Sequence, residues 1–474
     1  MIVTRFFEPA IAQTSYLIGC AATGHALVVD PNRDVDQYLR AAEREGVRIT
    51  HVTETHIHAD FASGLRELVA RTGATAYLSD EGDAAWKYAF GADATLIRDG
   101  DRITVGNIRI DVLATPGHTP EHLTFLVTDG AAADRPIAAI TGDFIFVGDV
   151  GRPDLLERAA NMRGTMEAGA RTLWRSLQAF NRDHDEWLQI WPGHGAGSAC
   201  GKGISAIPHS TLGYERRFNW AFAVPDEEAF VAAVLDGQPE PPAYFARMKA
   251  LNKAGPALLS TRTAPARLDD AAVAGLLARG AQVIDTRPAG EFAAAHLPGT
   301  LSLPLNAGFV NWAGWLLPYD QDLHLILADS SPERIAEARR LLSLIGLDRV
   351  AGVVDAGVVE RAAAKGAAID TVAQMSVDEL AGHVAARDVH LIDVRSANEW
   401  RAGHIGGATH IPLGYLSGRL AEVPDDRPIV LQCLSGSRSA IAASLLRRLG
   451  RVDVVNLIGG IDAWRAAHLP VQAA

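Results

Sequence analysis

The first half of the chain alternates short apolar runs, rich in β-branched residues, with longer stretches that have helical spacing. Residues 26–29 form an apolar run that is followed by Asp30, residues 35–46 carry a helical pattern, and residues 49–52 form a second strand-like run. Short runs bounded by turn residues predict strands, and the periodic stretches between them predict helices. Residues 1–235 are therefore expected to form an α/β domain, with its functional side chains on the loops that follow the strands.

A proline-rich segment interrupts this alternation. The prolines of the segment are Pro239, Pro241, Pro242, Pro256 and Pro265. Proline cannot continue a helix or a central strand, so residues 236–266 are predicted to be a linker. A short helix is expected within it, around residues 244–253.

Beyond the linker, the pattern repeats itself with an offset of 108 residues, from Asp285 to Asp393 and from His296 to His404. An offset of this size indicates a domain-sized duplication, because the units of solenoid proteins are much shorter. Each copy again alternates strands with helices, which is typical of a parallel sheet covered on both faces. Two α/β domains are predicted, over residues 267–365 and 373–474.

Composition and charge restrict the class of protein. The 474 residues are 48% hydrophobic and carry a formal net charge of −12. That length predicts several domains, and an acidic chain without a basic tract is a poor ligand for nucleic acid or anionic membranes. No apolar run is long enough to span a bilayer. Three scattered cysteines do not suit a disulfide framework, so we expect a reducing, cytoplasmic environment.

One of these cysteines, Cys433, lies in a loop that suits nucleophilic chemistry. An apolar strand precedes it, Gly436 permits tight curvature, and a helix is predicted to begin at about Ser439. The backbone N–H groups at a helix N-terminus favour an anion, and Arg438 adds a positive charge. We expect these features to stabilise the thiolate of Cys433 and make it a nucleophile.

The segment around this loop resembles the rhodanese domain. The resemblance rests on the residues 393–395, 399–400, 403–405 and 459–464, together with the six-residue loop from Cys433 to Arg438. The resemblance implies that Cys433 carries a persulfide and that Arg438 assists it. Related phosphatases have a loop one residue longer, so the resemblance argues against phosphatase or arsenate reductase activity.

The first copy departs from this pattern at its centre. Aligning the strand at 325–327 with the strand at 429–431 brings Asp329 to the cysteine position and Arg334 to that of Arg438. Pro332 replaces the glycine. Because a carboxylate cannot form a persulfide and would repel an anion, residues 267–365 are expected to be a catalytically silent rhodanese-like domain.

Histidines and acids in the N-terminal half suggest a metal site. They occur in four turns, at residues 56–61, 115–122, 141–143 and 191–195, each after a strand-like run. A lone histidine in the core or on the surface usually does not bind a metal. Four such turns in this order favour metal ligation instead, since histidines spaced two apart and followed by an acid recur in metal sites.

Residues 1 to about 215 resemble the metallo-β-lactamase superfamily, which has an αββα fold. Within the superfamily, the residues 54–61, 141–155 and 193–202 are most similar to persulfide dioxygenases, especially those fused to rhodanese domains. An α/β multi-domain protein is therefore expected: a metallo-β-lactamase fold followed by two rhodanese-like domains with parallel sheets.

The resemblance also implies the ligands. His56, His118 and Asp143 would bind one Fe(II) per chain, a facial arrangement that leaves positions open for O₂ and substrate. Around them, His58, Asp60 and His194 would orient the ligands. These six residues are the members of the expected metal centre.

Three further positions bear on the chemistry. Hydrolases of this superfamily usually have histidine where this chain has Phe61, so a two-zinc centre would lose a ligand. Arg152 could bind a carboxylate of a thiol substrate or could be a structural loop residue. Cys200 could relay sulfur to the iron domain or could be an incidental thiol.

Together these resemblances imply a persulfide dioxygenase joined to a sulfurtransferase. A glutathione or coenzyme A persulfide and O₂ would yield sulfite, and Cys433 would exchange sulfane sulfur between a persulfide and sulfite or thiosulfate. Two alternatives stay open: a dinuclear zinc thioester hydrolase of the glyoxalase II type with a sulfurtransferase tail, and a non-enzymatic persulfide carrier or sensor. The sequence leaves open the thiol carrier, the direction of transfer and whether the chain forms a homo-oligomer.

Overall fold

The computed structural model of the protein describes residues 1–155 and 164–473. These residues form two units, one of residues 1–261 with 343–346 and the other of residues 262–342 with 347–474. No helix among the described residues has the length and apolar character needed to cross a membrane. The boundaries of the linker and of the individual domains stay predictions.

Two six-stranded sheets make up the strands described in the first unit. The first sheet contains β1 (Ile2–Glu8), β2 (Gln13–Cys20), β3 (His25–Val29), β4 (Arg48–Thr53), β5 (Thr75–Ser79) and β6 (Thr95–Ile97). The second contains β7 (Arg102–Val105), β8 (Ile108–Ala114), β9 (Leu123–Asp129), β10 (Ala138–Gly142), β11 (Gln189–Pro192) and β12 (Ser210–Thr211). The helices are α1 (Asp36–Arg44), α2 (Leu65–Thr72), α3 (Met166–Asp183), α4 (Leu212–Phe218), α5 (Trp220–Ala223), α6 (Glu227–Leu235) and α7 (Phe245–Ala254).

The alternation of side chains along β2 and β3 explains how these elements form layers. Leu17 and Val28 belong to a core that also includes residues of α1 and α2. Their neighbours Ile18 and Leu27 belong to a second core, shared with the strands of the other sheet. A third core joins that sheet to α3 and α6. Because successive strand residues face opposite sides, one sheet can serve two cores, and the predicted αββα arrangement is confirmed.

Each half of the second unit contains a five-stranded parallel sheet. The strands of the first copy are β13 (Ala266–Arg267), β14 (Gln282–Asp285), β15 (Leu301–Ser302), β16 (Leu323–Leu327) and β17 (Val350–Asp355). Those of the second are β18 (Ala373–Met375), β19 (His390–Asp393), β21 (Thr409–His410), β22 (Ile429–Gln432) and β23 (Val454–Leu457), beside a small antiparallel pair of β20 (His404–Ile405) and β24 (Val471–Gln472). The helices are α8 (Asp270–Ala278), α9 (Ala289–Ala294), α10 (Phe309–Leu316), α11 (Pro332–Leu344), α12 (Val358–Ala364), α13 (Val377–Ala386), α14 (Ala397–Arg401), α15 (Ser437–Arg448) and α16 (Gly460–Ala466).

The predicted duplication is visible in the side chains as well as in the strand order. Arg287 Nη2 lies 2.7 Å from Asp285 Oδ2, and Arg395 Nη2 lies 2.6 Å from Asp393 Oδ2. All four residues are buried. The same buried ion pair thus ends the second strand of each copy, and the prediction of two α/β domains with parallel sheets is confirmed.

Candidate metal centre and cysteine loop

Three of the predicted ligands come together in the first unit. His56 follows β4, His118 follows β8 and Asp143 follows β10. One ligand atom from each lies within 4.8 Å of the others, and all three side chains are buried. His118 Nε2 is 3.5 Å from Asp143 Oδ2. Ligand atoms about 2 Å from one metal ion lie about 3 Å apart, so this spacing suits coordination of a single ion.

The surroundings of the Asp143 carboxylate indicate whether these residues could bind a cation. Neither of its oxygens has a hydrogen-bond partner among the described residues, and its side chain is almost completely buried. A buried carboxylate without hydrogen bonds is costly, and a bound cation removes that cost. The donor set of two imidazoles and one carboxylate therefore fits a divalent transition metal.

The outer nitrogens of the histidines are held by the protein. His118 Nδ1 donates to the Arg152 carbonyl oxygen at 3.1 Å. His56 Nδ1 donates to Thr55 Oγ1 at 2.9 Å, because that hydroxyl already donates to Asp30 Oδ2 at 3.0 Å. Each ring is thereby kept in the tautomer whose Nε2 lone pair is available to a metal.

Burial sets the protonation states that metal binding requires. It lowers the pKa of His56 well below its ordinary value and also lowers the pKa of His118. Burial opposes ionisation of Asp143, but the neighbouring His194 and His118 hold its pKa below the usual range. Neutral imidazoles facing an ionised carboxylate are ready to bind a metal without first losing protons.

His122 and Asp30 take part in this centre, although the sequence assigned neither of them a role. His122 Nε2 accepts the backbone N–H of Asp143 at 3.2 Å, and its Nδ1 donates to Thr115 Oγ1 at 2.9 Å. Burial lowers the pKa of His122 to about 3, so the ring is neutral and can accept. His122 therefore positions the backbone that carries Asp143.

Asp30 organises the opposite side of the centre. It accepts the Thr55 N–H at 2.6 Å and lies 3.1 Å from His58 Nε2. Asp30 itself has a φ of +52°, an uncommon backbone conformation for a residue other than glycine. The signal available in the sequence was an aspartate directly after the apolar run 26–29.

His58 lies outside the group of three ligands. Burial opposes its protonation, but the carboxylate of Asp30 outweighs burial and raises the pKa of His58 to about 9. The ring of Phe61 lies 4.3 Å from that of His58, centroid to centroid, and is completely buried. His58 is thus a charged partner of Asp30 with an apolar side chain against it.

A second group of buried side chains lies beside the first. Asp60, His194 and Cys200 offer ligand atoms within 4.8 Å of one another. His194 Nε2 is 3.3 Å from Asp60 Oδ2 and 3.4 Å from Asp143 Oδ1, while its Nδ1 donates to the Ala12 carbonyl oxygen. Asp60 and His194 therefore border the first group and could themselves hold a cation.

Cys200 sits deep in this second group. It is buried, and burial together with the carboxylates of Asp60 and Asp143 raises the pKa of its thiol well above the ordinary value. The thiol is therefore protonated at neutral pH unless a cation binds beside it. Cys200 thus lies among potential metal ligands, Asp60 and His194, and not in an isolated loop.

Arg152 is completely buried and its guanidinium is engaged by the protein. Nε and Nη2 donate to the two oxygens of Asp154 at 2.8 and 2.7 Å, and Nη1 donates to the Ala199 carbonyl oxygen at 2.9 Å. Its own carbonyl oxygen holds His118. Of the two roles left open by the sequence, these contacts favour the structural one.

In the second unit, the loop after β22 encloses the sulfur of Cys433. The Gly436 N–H donates to Cys433 Sγ at 3.1 Å, and Ser439 Oγ donates to it at 3.5 Å. Gly436 has a φ of +94°, and α15 begins at Ser437, two residues before the predicted start. Polar groups therefore point at the sulfur from the helix N-terminus, as the sequence predicted for an anion cradle.

A glycine turn fixes the other side of this loop. The N–H groups of Ile461 and Asp462 donate to the carbonyl oxygens of Cys433 and Leu434 at 2.9 and 3.0 Å. A Cβ on Gly460 would overlap both carbonyl groups. Gly460 is therefore required for the backbone at 459–462 to approach the cysteine loop.

Arg438 is held by a carboxylate beside the loop. Its two terminal nitrogens donate to the oxygens of Glu399 at 2.7 and 2.6 Å, and both side chains are largely buried. Burial opposes ionisation of Glu399, but the arginine outweighs it and lowers the pKa of Glu399 to about 2. The expected helper of Cys433 is thus fixed in position by an ion pair.

The corresponding region of the first copy has no such cradle. Asp329 is exposed, and its carboxylate accepts the N–H of Ser331 at 2.9 Å. Arg334 Nε lies 3.9 Å from the Asp329 carboxylate. At the cysteine position, this copy therefore has an aspartate whose carboxylate accepts a hydrogen bond from the backbone of its own loop.

Family models match both parts of the chain. The model of the metallo-beta-lactamase superfamily matches residues 9–194, and the model of the rhodanese-like domain matches residues 269–364 and 376–467. The chain is 42% identical to a metallo-beta-lactamase of Staphylococcus aureus subsp. aureus COL, whose crystal structure superposes with a TM-score of 0.68. That match covers 75% of this chain and 99% of the other.

Two curated relatives differ in their named activities. A hydroxyacylglutathione hydrolase of Rhodospirillum rubrum is 33% identical over 34% of this chain and 55% of that protein. The mitochondrial persulfide dioxygenase ETHE1 of Bos taurus is 29% identical over 34% of this chain and 59% of that protein. The chain thus spans little more than half the length of these two relatives.

Proposed function

Because the chain belongs to the metallo-β-lactamase superfamily and continues into two rhodanese-like domains, we propose that it oxidises a low-molecular-weight persulfide and transfers sulfane sulfur. The observation that carries this proposal is the ligand group of two histidines and one aspartate, together with the enclosed sulfur of Cys433. The overall oxidation is R–S–SH + O₂ + H₂O → R–SH + SO₃²⁻ + 2H⁺.

His56, His118 and Asp143 would hold the metal, for which we propose Fe(II). When bound, iron supplies a site where O₂ and the terminal sulfur of the persulfide meet and exchange electrons. The chain's own contribution is positional: Thr55 and the Arg152 carbonyl hold the two histidines, and His122 holds Asp143. The buried surroundings exclude bulk water from a reactive sulfur species.

Cys433 supports the second activity. Its thiolate would attack the outer sulfur of a persulfide, form a new S–S bond and release the carrier thiol. Sulfite would then take that sulfur, releasing thiosulfate and regenerating the thiolate. The N–H of Gly436 and the hydroxyl of Ser439 would stabilise negative charge on the sulfur at each stage. The reverse flow, from thiosulfate to Cys433, uses the same groups.

A second candidate is supported by the neighbouring group of Asp60, His194 and Cys200. Together with the likeness to hydroxyacylglutathione hydrolase, this group favours a thioester hydrolase with two metal ions. Phe61 offers no ligand atom where the superfamily hydrolases usually have histidine, which weakens that candidate.

The test is O₂ uptake by the full chain after anaerobic loading with iron, with glutathione persulfide as substrate and His118→Ala as the control. Persulfide-dependent uptake with sulfite or thiosulfate as product, lost in the control, is the expected result. Two bound zinc ions per chain, no uptake and hydrolysis of a glutathione thioester would establish the hydrolase instead. For the transfer step, Cys433→Ser should retain O₂ uptake and lose thiosulfate formation; unchanged thiosulfate formation would contradict the role of Cys433.

A further inference from the structure

The loop of residues 58–63 follows the proposed ligand His56 and contains His58, Asp60 and Phe61. Residues 54–62 form neither a helix nor a strand, and five of the six loop residues are buried. Buried backbone groups need hydrogen-bond partners, and those of this loop cannot find them within a helix or a sheet. The groups that hold the loop therefore decide where its side chains lie.

A single amide, that of Asn252 on α7, satisfies three backbone groups of the loop. Its Nδ2 donates to the carbonyl oxygens of His58 and Phe61 at 2.8 and 2.7 Å. Its Oδ1 accepts the N–H of Ser63 at 2.9 Å. An asparagine amide has two donor hydrogens, and both are used here. The three bonds connect residues that are 189 to 194 positions apart in the chain.

The place of Asn252 on α7 shows that the amide has a specific role. The buried residues of this helix are Phe245, Met248 and Asn252, a spacing that puts them on one face. Asparagine is a poor helix former, and its amide is costly to bury without hydrogen bonds. An apolar side chain would be enough to pack this face, so the amide is explained by its bonds to the loop.

The end of α11 provides a further partner for the loop. The N–H of Ala62 donates to the carbonyl oxygen of Leu344 at 2.6 Å. Residues 343–346 belong to the first unit, and a Cβ on Gly346 would lie 2.7 Å from the side chain of Leu251 on α7. Four backbone groups of the loop are thus satisfied by residues outside the predicted domain of residues 1–235.

The side chains of the loop extend from these bonds to the metal centre. His58 Nε2 lies 3.1 Å from Asp30 Oδ1, on the side of the centre that Asp30 organises. Asp60 Oδ2 lies 3.3 Å from His194 Nε2, which is in turn 3.4 Å from Asp143 Oδ1. A displacement of the loop would therefore change the surroundings of the ligands.

We propose that Asn252 is a positioning residue of the metal centre, because its three hydrogen bonds set the places of His58 and Asp60 beside the ligands. Asn252 acts through the loop and is not itself a ligand. The inference rests on the proposed function, since it concerns the centre to which persulfide oxidation is assigned. It gives the segment 236–266, predicted as a linker, a part in that centre.

The experiment uses the full chain under anaerobic conditions with Co(II) as the probe. The absorption bands of bound Co(II) report the number and arrangement of its ligands, and competition with a chelator gives the affinity. Asn252→Ala should lower the affinity about tenfold, the size typical of groups that orient metal ligands, and should shift the bands. Asn252→Asp keeps the size of the side chain and an acceptor for Ser63 but loses the two amide donors. It should act in the same direction, and it replaces Asn252→Ala if that variant does not fold.

Gln238→Ala is the matched control, because Gln238 is also a buried amide of the predicted linker but donates to the Val234 carbonyl oxygen at 2.8 Å. Its Co(II) bands and affinity should equal those of the wild type. If Asn252→Ala or Asn252→Asp lowered the melting temperature but kept the wild-type bands and affinity, Asn252 would only stabilise the fold and the proposal would be overturned. Equal losses of affinity in Gln238→Ala would overturn it as well.

The same measurement separates this inference from the proposed function. Binding of Co(II) needs neither persulfide nor O₂, so a wild type that binds Co(II) but shows no O₂ uptake after iron loading would contradict the persulfide oxidation alone. A wild type that binds no Co(II) would overturn the metal centre, and the role of Asn252 with it.

Discussion

Arg438 and Glu399 form a two-pronged ion pair beside the cysteine loop, with N–O distances of 2.7 and 2.6 Å. The same carboxylate also accepts the backbone N–H of Ser396 at 3.0 Å and so completes the capping box of α14. The side chain of Glu399 thereby connects the N-terminus of α14 to the first turn of α15. The arginine expected to assist Cys433 is positioned by a residue 39 places earlier in the chain.

Glu399→Gln is expected to change how stability depends on pH. The pKa of Glu399 is depressed to about 2 in the folded protein, from an ordinary value of 4.5. Its ion pair therefore stabilises the fold above about pH 4.5, and this contribution is lost as the pH falls towards 2. The melting temperature of the wild type should exceed that of the variant at pH 6, and the difference should shrink by pH 3.

Glu422→Gln is the control for that measurement. Glu422 pairs with Arg419 in a similar geometry, but its side chain is about half exposed. Exposed pairs contribute little because water and salt screen them, so this variant should change the melting temperature less. An equal effect of the two substitutions at every pH would contradict a special role for Glu399.

His122→Ala should weaken metal binding without removing a ligand. His122 accepts the backbone N–H of Asp143, and such supporting groups typically contribute 10- to 100-fold in metal affinity. We expect a loss of about that size for Fe(II), measured anaerobically by competition with a chelator. His51→Ala, which removes a half-buried ring stacked on Tyr77, should leave the affinity unchanged. Wild-type affinity in His122→Ala would show that Asp143 does not depend on this contact.

Gly460→Ala should impair sulfur transfer and spare O₂ uptake. Its Cβ would overlap the carbonyl groups of Cys433 and Leu434, so the loop must shift. A shift of about 1 Å at a reacting group can cost about 100-fold in rate. Gly407→Ala is matched to it, because Gly407 also has a positive φ but its Cβ would meet no atom within 4 Å. Equal transfer rates in the two variants would mean that the close approach is unimportant.

Phe61→His should raise metal binding from one to two equivalents per chain. The substitution adds an imidazole next to Asp60, in the group that also contains His194 and Cys200. Metal content after dialysis against zinc is the measurement. Combining Phe61→His with Cys200→Ser should lower the zinc content again, since the second substitution removes the thiol ligand. A content of one equivalent in Phe61→His would indicate that Asp60 and His194 do not accept a second ion.

Local patterns were sufficient for much of the architecture. The apolar run at 26–29 lies in β3, the periodic stretch 35–46 contains α1, and the proline-rich segment contains α7 where a short helix was expected. The 108-residue offset predicted a domain-sized duplication, and the alternation of strands with helices in each copy predicted the two parallel sheets. Predictions of this kind succeed since strands and helices depend mainly on neighbouring residues.

Some residues of the candidate centres were expected from the sequence, and others were found only in the structure. The resemblance to known families pointed to His56, His118, Asp143 and Cys433, and the structure brings the ligand atoms of the first three together. Their supporting partners were not found from the sequence: Asp30 lies 25 positions from Thr55, His122 lies 21 positions from Asp143, and Glu399 lies 39 positions from Arg438.

The sequence was enough to predict the elements and the duplication, since each depends on residues close together in the chain, while the candidate site residues came from the family resemblances. Folding decided which distant groups meet: Arg152 is saturated by Asp154 and Ala199, Arg438 is held by Glu399, and residues of both rhodanese-like copies line one cavity. The physical reason is that a side chain's partners depend on how sheets and helices pack. That packing sums many weak contacts over the whole unit, and no local stretch of sequence contains them.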